Sequence, residues 1–436
     1  MGACTDMELS TAKNRPQAPI VASLGVGQML SFGSSFYLLA VLGAGIARDL
    51  ALRPGLVSGL LSVALLASAV TAPPIGRWID ARGGKVVLIA ASFAFAAGLA
   101  LIGAAQGLAS LGLGVAVLGL GMALGLYETP FAILVGLYGD AARRPMTGVA
   151  LLGGLGSTVG LPTTLALEHA FGWRGACLAW AAVHLAVCLP LTTFVVPKVG
   201  GRHHSEPARA AIPWDRRMVQ LAALFAGAWF VSACIAAHLP RVLQGFGLSQ
   251  AQAVGAASLV GVAAVTMRLL EFTVLRRLPP LVTTRLATLL HPLGAASLLT
   301  FGGVAAPAMA LGQGGGNGFL TVAKGVLPLR LYGPANYGYR SALLATPARF
   351  VQVAGPVLFG LVLDRSAALA IVGSSAVCLF MFAMTFGLSK APAADAGSPA
   401  TRGPAAQSRR TAVYHSYAVY SGALSPRRHK LPGSTS

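Results

Sequence analysis

Long apolar segments separated by short polar connections dominate this chain. Crossing about 30 Å of hydrocarbon takes roughly 20 helical residues at 1.5 Å each. The pattern therefore predicts an all-α integral membrane protein with twelve transmembrane helices. These predicted spans, numbered one to twelve, cover residues 20–46, 55–76, 86–106, 111–137, 147–168, 174–195, 218–239, 249–272, 285–304, 307–330, 341–363 and 367–388.

The composition agrees with this prediction and excludes an ordinary soluble domain. Charged residues make up 10% of the chain, against roughly 25% in globular proteins. The 54 glycines suit helices that must approach each other closely in lipid.

Basic residues fall mainly on one side of the predicted membrane. With the N-terminus inside, seventeen of the 32 Lys and Arg residues lie in inner loops or the N-terminal stretch, and five lie in outer loops. This asymmetry predicts a multi-pass protein of the cell inner membrane with both termini in the cytoplasm. It also accounts for the net charge of +20, so we expect contact with the lipid bilayer and not with nucleic acid.

A polar interruption before span seven divides the chain into two similar halves. The sequence Leu-Tyr-Gly at 137–139, which ends span four, returns at 331–333, which ends span ten. The predicted organisation is a cytoplasmic N-terminal segment, a six-helix bundle, a cytoplasmic inter-bundle loop, a second six-helix bundle and a disordered cytoplasmic tail. Their residues are 1–17, 18–196, 197–217, 218–389 and 390–436.

A compact charged loop follows span two. Near the end of span eight, Arg268 and Glu271 repeat the spacing of Arg77 and Asp80, 191 positions later. The candidate functional residues of the loop are Gly76, Arg77, Asp80, Arg82, Gly83 and Lys85.

The loop pattern Gly-x-x-x-Asp-x-x-Gly-x-Lys resembles the signature loop between the second and third helices of major facilitator superfamily transporters. The resemblance implies two pseudo-symmetric six-helix bundles with a substrate site between them near the midplane. In that superfamily the matching acid binds a neighbouring helix end and an arginine, which latches the two halves together. By this resemblance Asp80 and Arg77 are gating residues, and Arg268 with Glu271 forms a degenerate second gate. A charge cluster that only sets topology is the alternative.

Three charged residues stand well inside predicted spans: Glu128 in span four, Lys324 in span ten and Arg349 in span eleven. A charge in hydrocarbon is costly and indicates function by default. Two cations against one acid favour an anionic substrate, which Lys324 and Arg349 would hold. Glu128 would respond to protons or cations and pair with Lys324 while the site is empty. A permanent structural salt bridge that locks the two halves together is the alternative. With the polar residues that share their helix faces, the predicted substrate or proton cavity comprises Gln28, Tyr127, Glu128, Gln313, Asn317, Lys324, Arg349 and Gln352.

The predicted function is secondary active transport of a small solute by alternating access, coupled to protons, with an organic anion such as a carboxylate as the expected substrate. An exporter of drug-like or toxic compounds by proton antiport is the main alternative. A membrane-embedded enzyme and a non-transporting receptor are further alternatives. The sequence has no P-loop, HExxH or GxSxG motif, so we expect no enzymatic activity, cofactor or metal. We expect the protein to work as a monomer.

Overall fold

A computed structural model describes residues 17–198 and 212–388, which form helices and no strand. Almost all of the predicted N-terminal segment, most of the inter-bundle loop and the whole predicted tail lie outside these described residues. We call the described residues up to 198 the N-terminal half and those from 212 onward the C-terminal half.

The N-terminal half contains eight α-helices within its six predicted spans. A short 3₁₀ turn, Gly139–Ala142, precedes α7, and two π-helical segments, His184–Cys188 and Leu191–Val195, follow α8. The helices are α1 (Gln17–Gly33), α2 (Leu38–Asp49), α3 (Pro54–Arg82), α4 (Gly84–Gly103), α5 (Leu108–Gly125), α6 (Glu128–Tyr138), α7 (Arg143–Gly153) and α8 (Gly156–Val183).

The C-terminal half contains one α-helix for each predicted span. Short 3₁₀ turns, Leu275–Arg277 and Gly302–Ala305, join three of the helices. The helices are α9 (Arg216–Gln244), α10 (Gln250–Thr273), α11 (Pro280–Phe301), α12 (Ala306–Tyr332), α13 (Tyr337–Leu363) and α14 (Ala367–Met384).

Within the described residues, nine helical stretches are long and apolar enough to cross a membrane. Two of them, Leu108–Val195 and Pro280–Tyr332, run for 88 and 53 residues, which is far more than one crossing requires. They contain predicted spans four to six and nine to ten, joined through the breaks and turns described here. The all-α membrane fold is confirmed, and the count of twelve crossings stays a prediction.

Three spans of the N-terminal half are broken near their middles: span one between α1 and α2, span four between α5 and α6, and span five between α7 and α8. A break frees backbone carbonyls, which need other donors inside a membrane. In span four the Nε2 of Gln28 donates to the carbonyl of Gly125 at 2.6 Å, and the Oγ1 of Thr129 donates to the carbonyl of Leu124 at 2.6 Å. These side chains therefore stabilise a break in the middle of the bundle.

The two halves pack against each other at the end of the bundle where α3 meets α4, which we call the latch end. Helix α3 packs along α13, and α7 packs against α10 and α12. Each half has its own apolar core, and one further cluster draws on both halves. In this cluster, called the seam, Phe131 and Met146 of the N-terminal half join Val326, Leu329 and Tyr337 of the C-terminal half.

Candidate functional site

A cavity of about 370 Å³ lies between the halves, next to the seam on the side away from the latch end. Phe131 and Tyr337 belong both to its lining and to the seam, so the apolar contact between the halves closes the cavity toward the latch end. The breaks of spans one, four and five all reach the lining, through Phe36, Tyr127 and Gly154. Broken helices around a midplane cavity are typical of secondary transporters.

An ion pair between the halves crosses this cavity. Nη2 of Arg349 lies 3.1 Å from Oε1 of Glu128, and the two side chains are 8% and 21% exposed. Nη1 of Arg349 also donates to the backbone carbonyl of Ser68 at 3.1 Å. Glu128 is the first residue of α6, so the break in span four places its carboxylate at a helix N-terminus, where negative charge is favoured.

This pairing differs from the expected contact of Glu128 with Lys324. The ammonium of Lys324 instead lies 3.7 Å from the ring centroid of Trp229. Both Lys324 and Trp229 line the cavity. The aromatic face attracts the cation and offsets part of the cost of removing it from water, so Lys324 is held there without a carboxylate contact.

A fourth charged residue of the cavity is Arg268, which the sequence pattern places beside Glu271 in a second gate. In the structure Arg268 lines the cavity, and its Nη2 donates to Oγ1 of Thr321 at 3.2 Å. Its guanidinium also packs against Gly154 at the break of span five. One helical turn separates Arg268 from Glu271 on α10, so Arg268 lines the cavity while Glu271 contacts Arg143.

Most of the other predicted cavity residues lie together. Tyr127, Asn317 and Gln352 line the same cavity as Glu128, Lys324 and Arg349. Gln28 and Gln313 lie outside this cavity, in buried contacts between helices. Gln28 donates to the carbonyl of Gly125 at the break of span four, and Oε1 of Gln313 lies 2.6 Å from Nδ1 of His291. A buried amide needs such partners, and here neighbouring helices provide them.

At the latch end, Asp80 binds the start of α13. Its two carboxylate oxygens accept hydrogen bonds from the backbone N–H groups of Gly338 and Tyr339, at 2.8 and 2.7 Å. First-turn amides have no partner within their own helix, and the positive end of the helix dipole adds to the attraction. Arg77 donates from Nη2 to the hydroxyl of Tyr339 at 2.7 Å, and its guanidinium lies over that ring.

The glycines of the charged loop permit this contact. A Cβ atom on Gly76 would lie 2.8 Å from the carbonyl oxygen of Gly338 and 2.8 Å from the Cα of Tyr339. Gly83 ends α3 with a φ of 84°, a conformation that other residues rarely adopt. Lys85 donates to the carbonyl of Thr193 in the same half at 2.7 Å, and Arg82 is exposed at the end of α3.

A second contact across the latch end joins Glu271 to Arg143. Nη2 of Arg143 lies 3.3 Å from Oε1 of Glu271, and Nη1 donates to the carbonyl of Leu278 at 2.6 Å. Arg143 belongs to α7 of the N-terminal half, and Glu271 belongs to α10 of the C-terminal half. We refer to the Asp80–α13 and Glu271–Arg143 contacts together as the latch contacts.

Sequence reasoning missed Arg143 and Trp229 as members of these sites, and it named Arg268 for the second gate but not for the cavity lining. Arg268 carried a usable signal, because it stands within a predicted span. Arg143 and Trp229 gain their importance only from partners more than 90 positions away, which no local pattern shows. Among the described residues, no group of three His, Cys, Asp or Glu side chains is arranged to hold a metal ion.

The fold and the cavity are those of a multi-pass membrane transporter, and comparison with known proteins agrees with this class. A family model of the Major Facilitator Superfamily matches residues 24–313. The chain belongs to the Major Facilitator Superfamily. Family and fold point to a transporter rather than an enzyme. A search of curated proteins found no match.

Solved structures of transporters share this fold. The transporter FucP in the outward conformation is similar with a TM-score of 0.71 at 14% identity, covering 87% of this chain and 99% of that one. The human organic anion transporter MFSD10 has a TM-score of 0.67 at 17% identity, covering 85% and 100%. The proton:xylose symporter XylE has a TM-score of 0.67 at 13% identity, covering 84% and 94%.

Replacing Asp80 with Asn should open the latch end more often. Asn keeps one acceptor oxygen but loses the charge and one hydrogen bond to α13, and a hydrogen bond to a charged group is worth about 1.5–3 kcal/mol. We expect the open fraction to rise roughly tenfold or more. Double electron–electron resonance measures this change as the distance between spin labels at Arg82 and Arg330. The labels are attached in protein whose natural cysteines have been replaced. Asp49→Asn is the matched control, because Asp49 pairs with Arg174 inside one half. Equal label distances in the two variants would contradict the role of Asp80 in holding the halves together.

Replacing Gly76 with Leu should separate α3 from α13 at the same end. The side chain would overlap backbone atoms of α13, and such overpacking costs about 1–3 kcal/mol. The same spin labels should report longer distances, and thermal stability should fall. Gly59→Leu, in the same helix, is the control because nothing lies within 4 Å of a Cβ atom there. A Gly76 variant that behaves like the Gly59 variant would show that close approach is not required.

Proposed function

We propose that this protein is a secondary active transporter that moves a small organic anion, such as a carboxylate, by alternating access. The observation that supports this proposal is the charge of the cavity. Arg268, Lys324 and Arg349 face one acid, Glu128, among the charged lining residues. A cavity with a formal excess of two positive charges, partly removed from water, attracts an anion and disfavours a cation.

The cations differ in their partners, and this difference suggests their roles. Arg349 is already paired with Glu128, whereas Lys324 lies on an aromatic ring and Arg268 bonds a neutral hydroxyl. An entering carboxylate therefore meets Lys324 and Arg268 first, because neither has to leave another carboxylate. We assign them the holding of the anion.

Arg349 and Glu128 provide a means of coupling to protons. A proton on Glu128 removes the charge that holds Arg349, which then becomes available to the substrate carboxylate. Release of the anion returns Arg349 to the deprotonated Glu128. In this scheme the proton and the anion bind together and cross the membrane in the same direction.

The latch contacts serve as the gate at one end of this cycle. While Asp80 holds α13 and Glu271 holds Arg143, the cavity is closed toward the latch end. From the distribution of basic residues we place that end in the cytoplasm of a cell inner membrane, together with both termini. We further propose that one chain is sufficient for transport, because its two halves supply the whole cavity lining.

Export of drug-like compounds by proton antiport is the second candidate, since several aromatic side chains line the cavity. Many drug-like compounds are hydrophobic cations, and the excess of positive residues in the cavity would repel them. Competition by carboxylates, compared with hydrophobic cations, separates the two candidates.

Replacing Lys324 or Arg268 with Gln should raise the KM for anion uptake about tenfold or more. Each change removes one charged hydrogen-bond donor worth about 1.5–3 kcal/mol, and 1.4 kcal/mol corresponds to a factor of ten. Uptake of labelled carboxylates into proteoliposomes measures the effect. Arg285→Gln is the control, because Arg285 lies in α11 and bonds Thr385. An unchanged KM in both cavity variants would refute the assignment.

Replacing Glu128 with Gln should remove the pH dependence of uptake. Gln cannot exchange a proton, so the anion should still cross by exchange against anion inside the vesicles while a proton gradient no longer drives accumulation. Counterflow and gradient-driven uptake, measured on the same proteoliposomes, separate the two activities. If the Glu128→Gln protein still accumulated substrate with the proton gradient, the coupling role would be wrong.

A further inference from the structure

The charges of the cavity divide between the two halves of the chain, whereas aromatic lining residues come from both halves, Phe225, Trp229 and Tyr337 from the C-terminal one. All three cations of the lining come from the C-terminal half, on α10, α12 and α13. The acid Glu128 comes from the N-terminal half. A substrate that contacts both halves therefore meets positive charge on one side only.

The N-terminal half lines its side of the cavity with a row of aromatic rings, which we call the aromatic row. Phe36 and Phe32 have ring centroids 5.6 Å apart, Phe32 and Tyr127 are 5.1 Å apart, and Tyr127 and Phe131 are 5.3 Å apart. All four line the cavity. Phe32, Phe36 and Tyr127 are only partly buried, so they present aromatic surface to the cavity and are not enclosed within the protein core.

We propose that the substrate is an aromatic monocarboxylate, with its carboxylate on Arg268 and Lys324 and its ring on this aromatic row. The inference rests on the proposed function, anion transport, and names the class of anion. Aromatic rings prefer to pack against other rings in offset or tilted arrangements, and the row offers such surfaces next to one another.

The positions of the cations favour a single carboxylate. Arg268 bonds Thr321, which lies one helical turn from Lys324 on the same face of α12. Both cations therefore lie near the same part of α12, and we place one carboxylate group of the substrate between them. While Glu128 is deprotonated, the third cation, Arg349, is matched to it, so a second carboxylate that enters the empty cavity would have to displace Glu128.

The size of the cavity suits this class as well. About 370 Å³ is at the lower end of the range for small-molecule sites, which fits a single-ring acid. A sugar of similar size carries no charge, so it would leave the cations of the lining without a charged partner.

Binding of four matched probes to the purified protein tests the inference. Benzoate has both features, propionate has the carboxylate without a ring, benzamide has the ring without the charge, and succinate has two carboxylates. Calorimetry is preferable to uptake here, because benzoic acid crosses membranes unaided. We expect the Kd for benzoate to be at least tenfold lower than the Kd for each of the other three.

The outcomes separate the inference from the proposed function. If propionate or succinate binds as tightly as benzoate, the aromatic class is wrong and anion transport stands. If benzamide binds as tightly as benzoate, or if a folded preparation binds none of the three anions, both are wrong.

Two variants identify the surfaces involved. Phe32→Leu should lower the preference for benzoate over propionate severalfold, whereas Lys324→Gln should weaken the binding of both acids alike. Phe171→Leu is the control, since Phe171 is an aromatic residue 66% exposed and outside the cavity lining. An unaltered preference in the Phe32 variant would overturn the assignment of the ring to the aromatic row.

Discussion

The ion pair between Arg349 and Glu128 sets the geometry of the cavity, because it joins the two halves across it. At 3.1 Å the attraction is about 5 kcal/mol for an effective dielectric constant near 20. Removing the two charges from water costs several kcal/mol for each ion. The terms nearly cancel, so the intact pair adds little net stability, although either partner left alone would be costly. Under the proposed function, such a balanced pair could be exchanged for a substrate carboxylate at small net cost, so that the site both binds and releases it.

The pair in turn depends on the break in span four. An unbroken helix would continue through Tyr127 and Glu128, and the carboxylate would not stand at a helix N-terminus. The break is tolerated because Gln28 and Thr129 satisfy the carbonyls that it frees; an unsatisfied carbonyl costs several kcal/mol in lipid. Gln28 is therefore important to the cavity although it does not line it.

These residues show how far the sequence alone can lead. Span lengths are predictable because the thickness of the hydrocarbon sets them, and charges inside apolar runs identified Glu128, Lys324 and Arg349. Helical periodicity assigns a residue to a face but does not name the neighbouring helix, so Gln313 was expected in the cavity and lies against His291 instead. The choice of Arg349 rather than Lys324 as the partner of Glu128 depends on how the halves pack, which no local pattern contains.

The cavity and the latch contacts share two helices, and this arrangement links them mechanically. Helix α10 carries Arg268 in the cavity and Glu271 at the latch end, one turn apart; α13 carries Arg349 in the cavity and the amides that bind Asp80. A ligand shifts a conformational equilibrium only by the difference between its affinities for the two states. If the substrate is an anion as proposed, its gain on these cations must be similar in size to the few kcal/mol of the latch contacts. Since a rigid helix moves as a unit, an anion that displaces α10 or α13 also displaces a latch contact.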